Sequence, residues 1–378
     1  MSLKSIFKYF LVWRTLVFLV AVLAMFVITP KTNFTDLTPK ASTADLLKMW
    51  SNFDGLHYQD IAKYNYGASS KTEKDYAFFP VYPWLMRHLN PLIGNFTVSG
   101  ILVSSVAFIL ALYMLYKLVR LDHSKKIAKY TLFILLIFPT SFYFGSVYNE
   151  SLFLLLAVLT FYFARKSRFR WACVFATIAT ATRITGIFLW LALLVEYFET
   201  YGHSLKTYLK PKTLWLALPP LGLVSYMYYQ FRMTGDPFFF VNVQNSVTGR
   251  STDKLILIYQ VFFRYIKMIL TVDPWSPTYF TVILEFLVGL LFVALLIFSI
   301  KKIRPSYWIF CVLSFFLPTF TGTLSSIPRY VLVLFPLFMF LASWLDRRHP
   351  FIRYIYYAIC VVLSLLTIGF FTRGYFVG

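Results

Sequence analysis

The sequence predicts an all-α polytopic membrane protein with about eleven transmembrane helices, within a range of about ten to thirteen. Of its 378 residues, 59% are hydrophobic and only 13% are charged, whereas soluble domains are about 25% charged. Apolar runs of about 15 to 23 residues recur along the chain, the length that a helix needs to cross a hydrocarbon core of about 30 Å. We therefore predict one integral-membrane domain over residues 1–378 and exclude a soluble or disordered protein.

The basic residues indicate membrane topology rather than nucleic-acid binding. The chain has 36 Lys and Arg against 15 Asp and Glu, a formal net charge of +21. Of these basic residues, 21 lie in six groups beside apolar runs, and that side of the chain carries only four acids. An excess of Lys and Arg marks the cytoplasmic side, and basic segments suit anionic lipid headgroups. The partners predicted are membrane lipids and no nucleic acid. The six groups are 4–14, 117–129, 165–170, 206–212, 301–304 and 347–353.

With these groups in the cytoplasm, the apolar runs divide into eleven spans and the N-terminus lies inside. The predicted spans are 10–29, 96–116, 129–144, 149–164, 171–182, 184–198, 213–231, 278–300, 306–321, 329–345 and 354–372. Residues 171–198 could also form one tilted helix of about 42 Å. Two short helices are favoured, because the basic groups on both sides of this stretch share the cytoplasm only if the chain crosses twice.

Two long segments are predicted on the outer side, 30–95 and 232–277. Loops of this length are usually functional or disordered. The first is rich in aromatic residues, which favour the membrane interface. In the second, Gln260, Arg264 and Lys267 recur at helical spacing within the apolar stretch 255–272. That pattern predicts an interfacial amphipathic helix. Its polar stripe either meets lipid phosphates or simply extends Arg and Lys side chains into water.

Asp54 is the candidate catalytic carboxylate of the first outer segment. A partly desolvated carboxylate among aromatic residues can accept a proton from a substrate hydroxyl. His57, three residues later, would share a helical face with Asp54 and could orient it or bind a phosphate. In the alternative interpretation, Asp54 only caps a short helix.

Three further motifs deliver polar residues to the outer ends of spans. Arg183 lies in an apolar stretch, where arginine is costly unless it faces a cavity or a partner. Its partner is either a phosphate or carboxylate of the substrate or Glu150 of the chain itself. Asn149 could cap the helix that Glu150 begins. Arg329 begins the tenth span at its outer end, where it either binds the substrate or anchors the span at the membrane interface.

Several kinds of site are absent from the sequence. There is no P-loop, HExxH, CxxC or GxSxG motif, so ATP hydrolysis, zinc proteolysis and acyl transfer through a nucleophile elbow lack support. The three cysteines lie in apolar runs and provide neither a disulfide framework nor a metal quartet. Polar residues clustered at one membrane face fit chemistry on a lipid-borne substrate better than a conduction path.

On these residues the chain resembles the GPI second-mannosyltransferase family of PIG-V type and its bacterial relatives, within the GT-C class of polytopic glycosyltransferases. Five motifs match the family in order, at 54–58, 78–83, 148–153, 183–186 and 328–330. They resemble its Trp-Asp-x-x-His-Tyr, Phe-Phe-Pro-Leu-Tyr-Pro, Tyr-Ser-Glu-Ser-Leu-Phe, Arg-Ser-Asn-Gly and Pro-Arg-Tyr. Phe53 replaces the usual tryptophan, Asn149 replaces a hydroxyl residue, and Ile184-Thr185 replaces Ser-Asn, so substrate specificity can differ.

The resemblance implies a GT-C fold and an inverting transfer of a hexose, with mannose expected, from a polyprenyl-phosphate donor to a lipid-linked glycan, glycolipid or other acceptor. Asp54 would be the general base, and Arg183, Arg329 and His57 would bind the donor phosphate. Glu150, Tyr58 and Tyr148 would orient substrate. No cofactor is required in principle, and the sequence leaves a divalent metal open. The short chain suggests a bacterial or archaeal plasma membrane, or the ER membrane in a eukaryote, with the site on the outer or lumenal side.

Two other classes of function fit a polytopic chain with polar residues at one face. A lipid or glycolipid flippase is one, although many transporters are built from repeats and the sequence has none. A non-catalytic subunit of a glycan-assembly complex is the other.

Overall fold

The computed structural model describes residues 1–31, 45–67, 72–202, 211–244 and 254–378. Within these ranges the fold is entirely helical, as predicted, and contains no β-strand. Short 3-10 segments occur at Thr72–Ala77, Ser141–Gly145, Ile184–Gly186, Pro211–Ala217 and Val331–Val333. The α-helices are α1 (Leu3–Val27), α2 (Asp45–Lys48), α3 (Asp54–Tyr64), α4 (Val81–Ile93), α5 (Phe96–Val119), α6 (Lys125–Ile137), α7 (Glu150–Arg165), α8 (Phe169–Thr180), α9 (Ile187–Tyr201), α10 (Pro219–Thr234), α11 (Phe239–Asn242), α12 (Ile258–Thr271), α13 (Pro277–Ser299), α14 (Pro305–Thr319), α15 (Ile327–Tyr330), α16 (Phe335–Asp346) and α17 (Pro350–Thr372).

Each of the eleven predicted spans overlaps an α-helix, and the protein is an integral, multi-pass membrane protein. In the described part of the chain, five helical segments are long and apolar enough to cross a bilayer. The count of eleven stays a prediction, because the other helices are shorter than a full crossing. The five long segments are Leu3–Val27, Phe96–Val119, Ile184–Tyr201, Pro277–Ser299 and Pro350–Thr372.

Local sequence explains where the long helices begin. Asn95 precedes α5, and its side-chain oxygen accepts a hydrogen bond from the Val98 backbone N–H at 3.1 Å. Ser276 does the same for Tyr279 ahead of α13, and Pro277 then occupies the first helical position. These are favourable N-terminal residues, because the first turn of a helix has unpaired N–H groups.

Residues 171–198 form two helices that fold back on each other, as favoured from the sequence. The Phe169 ring at the start of α8 lies 4.8 Å from the Tyr197 ring near the end of α9. Gly186 permits the tight turn between them, since a β-carbon there would lie 2.5 Å from the Ala179 carbonyl oxygen. The hairpin therefore leaves Arg183 at its apex.

The predicted tenth span, 329–345, is not one straight helix. The segment Ile327–Val333 and α16 meet at an angle of 85°. Pro336 lies in the first turn of α16, and proline cannot continue a preceding helix through this point because it lacks an N–H. The bend separates Arg329 from the transmembrane part of the span.

The two outer segments contain several helices, of which the sequence pattern predicted α12. The first holds α2, α3, the 3-10 segment Thr72–Ala77 and α4, and the second holds α11 and α12. The predicted interfacial helix is observed as α12, with exposed apolar side chains that include Phe263 and Leu270. On its polar stripe, Arg264 Nη1 donates to the Gly322 carbonyl at 3.2 Å, and the two alternatives for the stripe stay predictions.

Candidate active site

Asp54 is the first residue of α3, and two contacts hold this helix start against the segment before α7. The Tyr148 hydroxyl donates to the Asn52 carbonyl at 2.7 Å, and the Val147 N–H donates to the Trp50 carbonyl at 2.9 Å. A β-carbon on Gly55 would lie 3.3 Å from the Val147 carbonyl oxygen, so glycine allows this close approach. Asp54 thus lies beside the residues that begin α7.

Arg329 joins two acids that are far apart in sequence. Its Nη1 lies 2.5 Å from Asp54 Oδ2, and its Nε lies 3.5 Å from Glu150 Oε1. The Arg329 side chain is 6% exposed, whereas that of Asp54 is 27% exposed. A buried cation therefore faces a carboxylate that solvent or substrate can reach.

Arg183 completes the charge cluster from the apex of the α8–α9 hairpin. Its Nη1 lies 3.2 Å from Glu150 Oε1, so one buried carboxylate oxygen faces both arginines. Glu150 Oε2 is buried and has no hydrogen-bond partner among the described residues. We call Asp54, Glu150, Arg183 and Arg329 the charge cluster. Its formal charges balance, and an added phosphate would therefore make the site anionic.

Tyrosine rings line the guanidinium groups. The Tyr330 ring centre lies 4.7 Å from Arg183 Cζ and 5.1 Å from Arg329 Cζ. Tyr148 contributes a further ring 5.2 Å from Arg329 Cζ. Such cation–π contacts are worth up to about 2 kcal/mol when desolvated, so the rings hold both cations in place while leaving their N–H groups for anions.

His57 lies one turn after Asp54 on α3. Its Nδ1 is 2.8 Å from Asp75 Oδ1, and its ring stacks on Phe78 at 4.7 Å. Asp75 is almost fully buried, and its Oδ2 has no hydrogen-bond partner among the described residues. The imidazole is therefore oriented by Asp75, and its role toward a phosphate stays a prediction.

Tyr58 is buried against the Phe78 and Tyr82 rings, at 5.2 and 5.0 Å. Burial raises the pKa of the Tyr58 phenol well above its ordinary value, and the nearby Glu150 and Asp54 charges act in the same direction. Its hydroxyl consequently stays protonated at neutral pH and can donate a hydrogen bond.

The loop that carries Arg329 is fixed by an acid of α13. Glu285 Oε1 accepts the Ser326 N–H at 3.1 Å, and Glu285 Oε2 accepts the Tyr265 hydroxyl of α12 at 2.6 Å. Ser326 has a left-handed backbone, with φ of 65°, which costs a non-glycine residue energy. The Glu285 contact compensates part of that cost and sets the start of α15.

The structure brings together Asp54, Glu150, Arg183, Arg329, Tyr58 and Tyr148, all predicted as site residues, with His57 on the adjoining turn. Arg183 pairs with Glu150, as one alternative proposed, and this leaves its other N–H groups for a ligand. The predicted capping role of Asn149 is wrong. Its side chain instead donates to the Thr182 carbonyl at 3.1 Å, tying α7 to the hairpin apex.

Sequence reasoning missed the roles of Tyr330 and Asp75. Tyr330 belongs to the Pro-Arg-Tyr motif, and that adjacency to Arg329 was the available signal. Asp75 had no signal that distinguished it from the other acids of its segment. No group of three or more His, Cys, Asp or Glu side chains suited to a metal ion occurs in the described ranges.

A sequence profile decides the family of this chain. The profile of the mannosyltransferase (PIG-V) family matches residues 3–233, which is more than half of the chain and includes Asp54, Glu150 and Arg183. The protein belongs to the PIG-V mannosyltransferase family. No curated protein sequence matches the chain.

The solved structures of ArnT confirm the GT-C fold of this PIG-V family member. ArnT from Cupriavidus metallidurans bound to undecaprenyl phosphate is 17% identical, with a TM-score of 0.52, and the alignment covers 91% of this chain and 62% of ArnT. Apo ArnT is 15% identical with a TM-score of 0.50, covering 91% and 61%. The Archaeoglobus fulgidus oligosaccharyltransferase is also similar, at 13% identity and a TM-score of 0.43, covering 98% and 56%. The chain thus spans about three-fifths of the length of ArnT.

Proposed function

We propose that this PIG-V family member is an inverting glycosyltransferase. It moves a hexose, with mannose the expected sugar, from a polyprenyl-phosphate donor to a lipid-linked glycan, glycolipid or other acceptor at the outer or lumenal membrane face. Family membership supports the sugar, and a similar fold solved with undecaprenyl phosphate supports the donor class. The observation that carries the proposal is the charge cluster, in which the accessible Asp54 carboxylate pairs with the buried Arg329 guanidinium and the buried Glu150 links Arg329 to Arg183.

The two arginines suit the phosphate of the donor. Guanidinium groups bind phosphate oxygens through paired N–H donors, and burial strengthens this attraction. Arg329 is paired with Asp54. A phosphate that binds Arg329 competes with this carboxylate and frees Asp54 to face the acceptor hydroxyl. Donor binding would therefore prepare the base.

The reaction is a single displacement at the anomeric carbon. The acceptor oxygen forms a bond to this carbon from the face opposite the phosphate, while the bond from the anomeric carbon to the phosphate oxygen breaks. The hydroxyl proton passes to the Asp54 carboxylate. The leaving group departs as polyprenyl phosphate, whose charge Arg183 and Arg329 stabilise. The tyrosines Tyr58 and Tyr148 orient the sugar, and Glu150 orients the arginines.

The role of Asp54 is tested with the purified protein, a short-chain polyprenyl-phosphate mannose and candidate acceptors, with transfer followed by mass spectrometry. Asp54→Asn should lower the transfer rate about 100-fold or more, because the loss of a general base costs about 10²- to 10⁴-fold. Asp60→Asn, on the same helix, is the matched control and should retain transfer. Equal loss in both variants, with intact folding, would contradict the assignment and indicate a structural loop.

The proposed reaction assigns no cofactor. The donor carries its leaving group as a single phosphate, and the two guanidinium groups supply the positive charge that a divalent ion would otherwise provide. Transfer should therefore be unchanged when EDTA is added to the same assay. A loss that Mg²⁺ or Mn²⁺ restores would contradict this part of the proposal and leave the role of Asp54 intact.

A further inference from the structure

A cavity lies between the membrane helices, far from the charge cluster. It is a groove of about 320 Å³ between α1, α5, α6 and α17. We call it the basic groove, and the residues that define it here are Ile6, Leu112, Lys129, Leu136, Arg353 and Tyr357. Nothing in the proposed transfer reaction uses these residues.

The length of α17 sets the distance between the basic groove and the candidate active site. Tyr354 and Tyr357 line the groove near the start of α17. Phe371, near its end, accepts a hydrogen bond from Asn52 and contacts the Phe53 ring. The 17 residues from Tyr354 to Phe371 rise about 26 Å, nearly the thickness of a hydrocarbon core. The groove therefore lies at the opposite end of the bundle, beside the basic loops.

One part of the basic groove is apolar and faces the membrane. Leu112, Leu132 and Leu136 form its inner wall, while the Phe133 side chain is 42% exposed at its edge. Phe133 meets the Tyr357 ring edge to face at 4.9 Å. A hydrocarbon chain suits this wall, because it replaces no hydrogen bond and buries apolar surface.

The other part of the basic groove is cationic. Lys129 is exposed and forms no ion pair or hydrogen bond with the described residues. Arg353 Nη1 donates to the Tyr130 hydroxyl at 3.2 Å and lies 3.9 Å from Asp346. Lys126 Nζ forms an ion pair with the same Asp346 carboxylate at 2.7 Å. Asp346 therefore compensates the charge of Arg353 only in part. The groove thus holds positive charge without a matching acid.

We propose that the basic groove binds an anionic phospholipid. Its phosphate group lies between Lys129 and Arg353, and one acyl chain runs along Leu112, Leu132 and Leu136. Basic pockets between membrane helices on the cytoplasmic side suit anionic headgroups. This site is separate from the donor site, and it does not depend on the proposed transfer reaction.

Binding is tested by native mass spectrometry of the full-length protein with phosphatidylglycerol or with phosphatidylcholine of the same acyl chains. The unsubstituted protein should retain more phosphatidylglycerol. Lys129→Ala should lower its apparent affinity about fivefold, the factor that corresponds to about 1 kcal/mol for one Lys near an anionic lipid.

Lys166→Ala is the matched control, because it removes one exposed basic charge from another loop of the same end. It should leave phosphatidylglycerol binding unchanged. Equal losses in Lys129→Ala and Lys166→Ala would overturn the proposal, since charge alone would then explain binding. Equal retention of the two lipids would also overturn it. Displacement of phosphatidylglycerol by millimolar inorganic phosphate would assign the groove to a soluble anion instead.

Discussion

Arg329 is the residue on which the charges of the site converge. Its guanidinium lies against Asp54 on one side and Glu150 on the other, and aromatic rings cover its faces. A planar group with five N–H donors can make all of these contacts together. An ammonium group concentrates its charge at one point, so it can satisfy one acid or the other but lacks the stacking surface.

Arg329→Lys is therefore expected to impair transfer although it keeps the charge. The catalytic efficiency with the polyprenyl-phosphate donor should fall about 100-fold, the usual cost of removing one donor that stabilises a transition state. The measurement is the rate of sugar transfer at varied donor concentration. Arg347→Lys, an exposed residue at the opposite end, should behave like the unsubstituted protein. Full activity of Arg329→Lys would show that only net positive charge is needed.

Residue types were more predictable than residue pairs. An acid after the first span and arginines at the outer ends of later spans are visible in the sequence, because charges inside apolar stretches are costly. The Arg183–Glu150 pair was one alternative from the sequence, but the pairing of Arg329 is not visible there. The Asp54–Arg329 pair joins positions 275 residues apart, and their encounter depends on how α3 and α15 pack around α7.

At the scale of elements, short helices carry the site and longer helices support it. Asp54 begins α3, Glu150 begins α7, Arg329 lies in α15 and Arg183 lies between α8 and α9. At the end or break of a helix, a side chain can point into the site. Within a continuous helix, the same side chain would pack against a neighbouring helix. Glu285 of α13 and Tyr265 of α12 then fix the loop before α15.

Glu285 is expected to act as a positioning residue for Arg329. Glu285→Ala leaves the Ser326 N–H and the Tyr265 hydroxyl without this acceptor, and each unmet buried group costs about 1 to 3 kcal/mol. Its catalytic efficiency should fall about tenfold, whereas Glu285→Gln, which retains an acceptor oxygen, should stay within about threefold. Transfer kinetics and thermal unfolding of both variants check this. Loss of stability without the difference in transfer between Ala and Gln would contradict a positioning role.

Hydropathy predicted the membrane helices, since their length follows from the thickness of the bilayer. The α8–α9 hairpin was predicted because the basic groups on both sides of it lie on one side of the membrane only if the chain crosses twice. The 85° bend before α16 was not predicted. Pro336 is a signal for it, but proline is also tolerated within transmembrane helices. In the two outer segments, helical spacing predicted α12, whereas the other helices escaped because their apolar residues are distributed among aromatic and polar neighbours without a continuous run.

The whole molecule separates its reactive charges from its topological charges. Helix α7 runs from Glu150 in the charge cluster to Arg165 at the basic end, a rise of about 22 Å. At that end Arg165 pairs with Asp122 at 2.5 Å, and Arg304 pairs with buried Glu196 at 2.8 Å. These ion pairs compensate part of the basic charge at that end, and the basic residues outside the pairs leave it net positive.

For the proposed donor, the exposed apolar side chains of α1, α12 and α17 would let a polyprenyl chain stay in the bilayer while its phosphate reaches the arginines. The hydroxyl of the proposed acceptor would then meet the partly exposed Asp54 carboxylate. The central claim is that donor and acceptor meet between this carboxylate and the two guanidinium groups.

A structure of the protein with a non-transferable polyprenyl-phosphate sugar and an acceptor tests this claim most directly. The account predicts that an Asp54 oxygen lies about 3 Å from the acceptor hydroxyl, on the side of the anomeric carbon opposite the phosphate, with Arg183 and Arg329 on the phosphate oxygens. An Asp54 carboxylate turned away from the anomeric carbon, or a phosphate bound without either arginine, would contradict it.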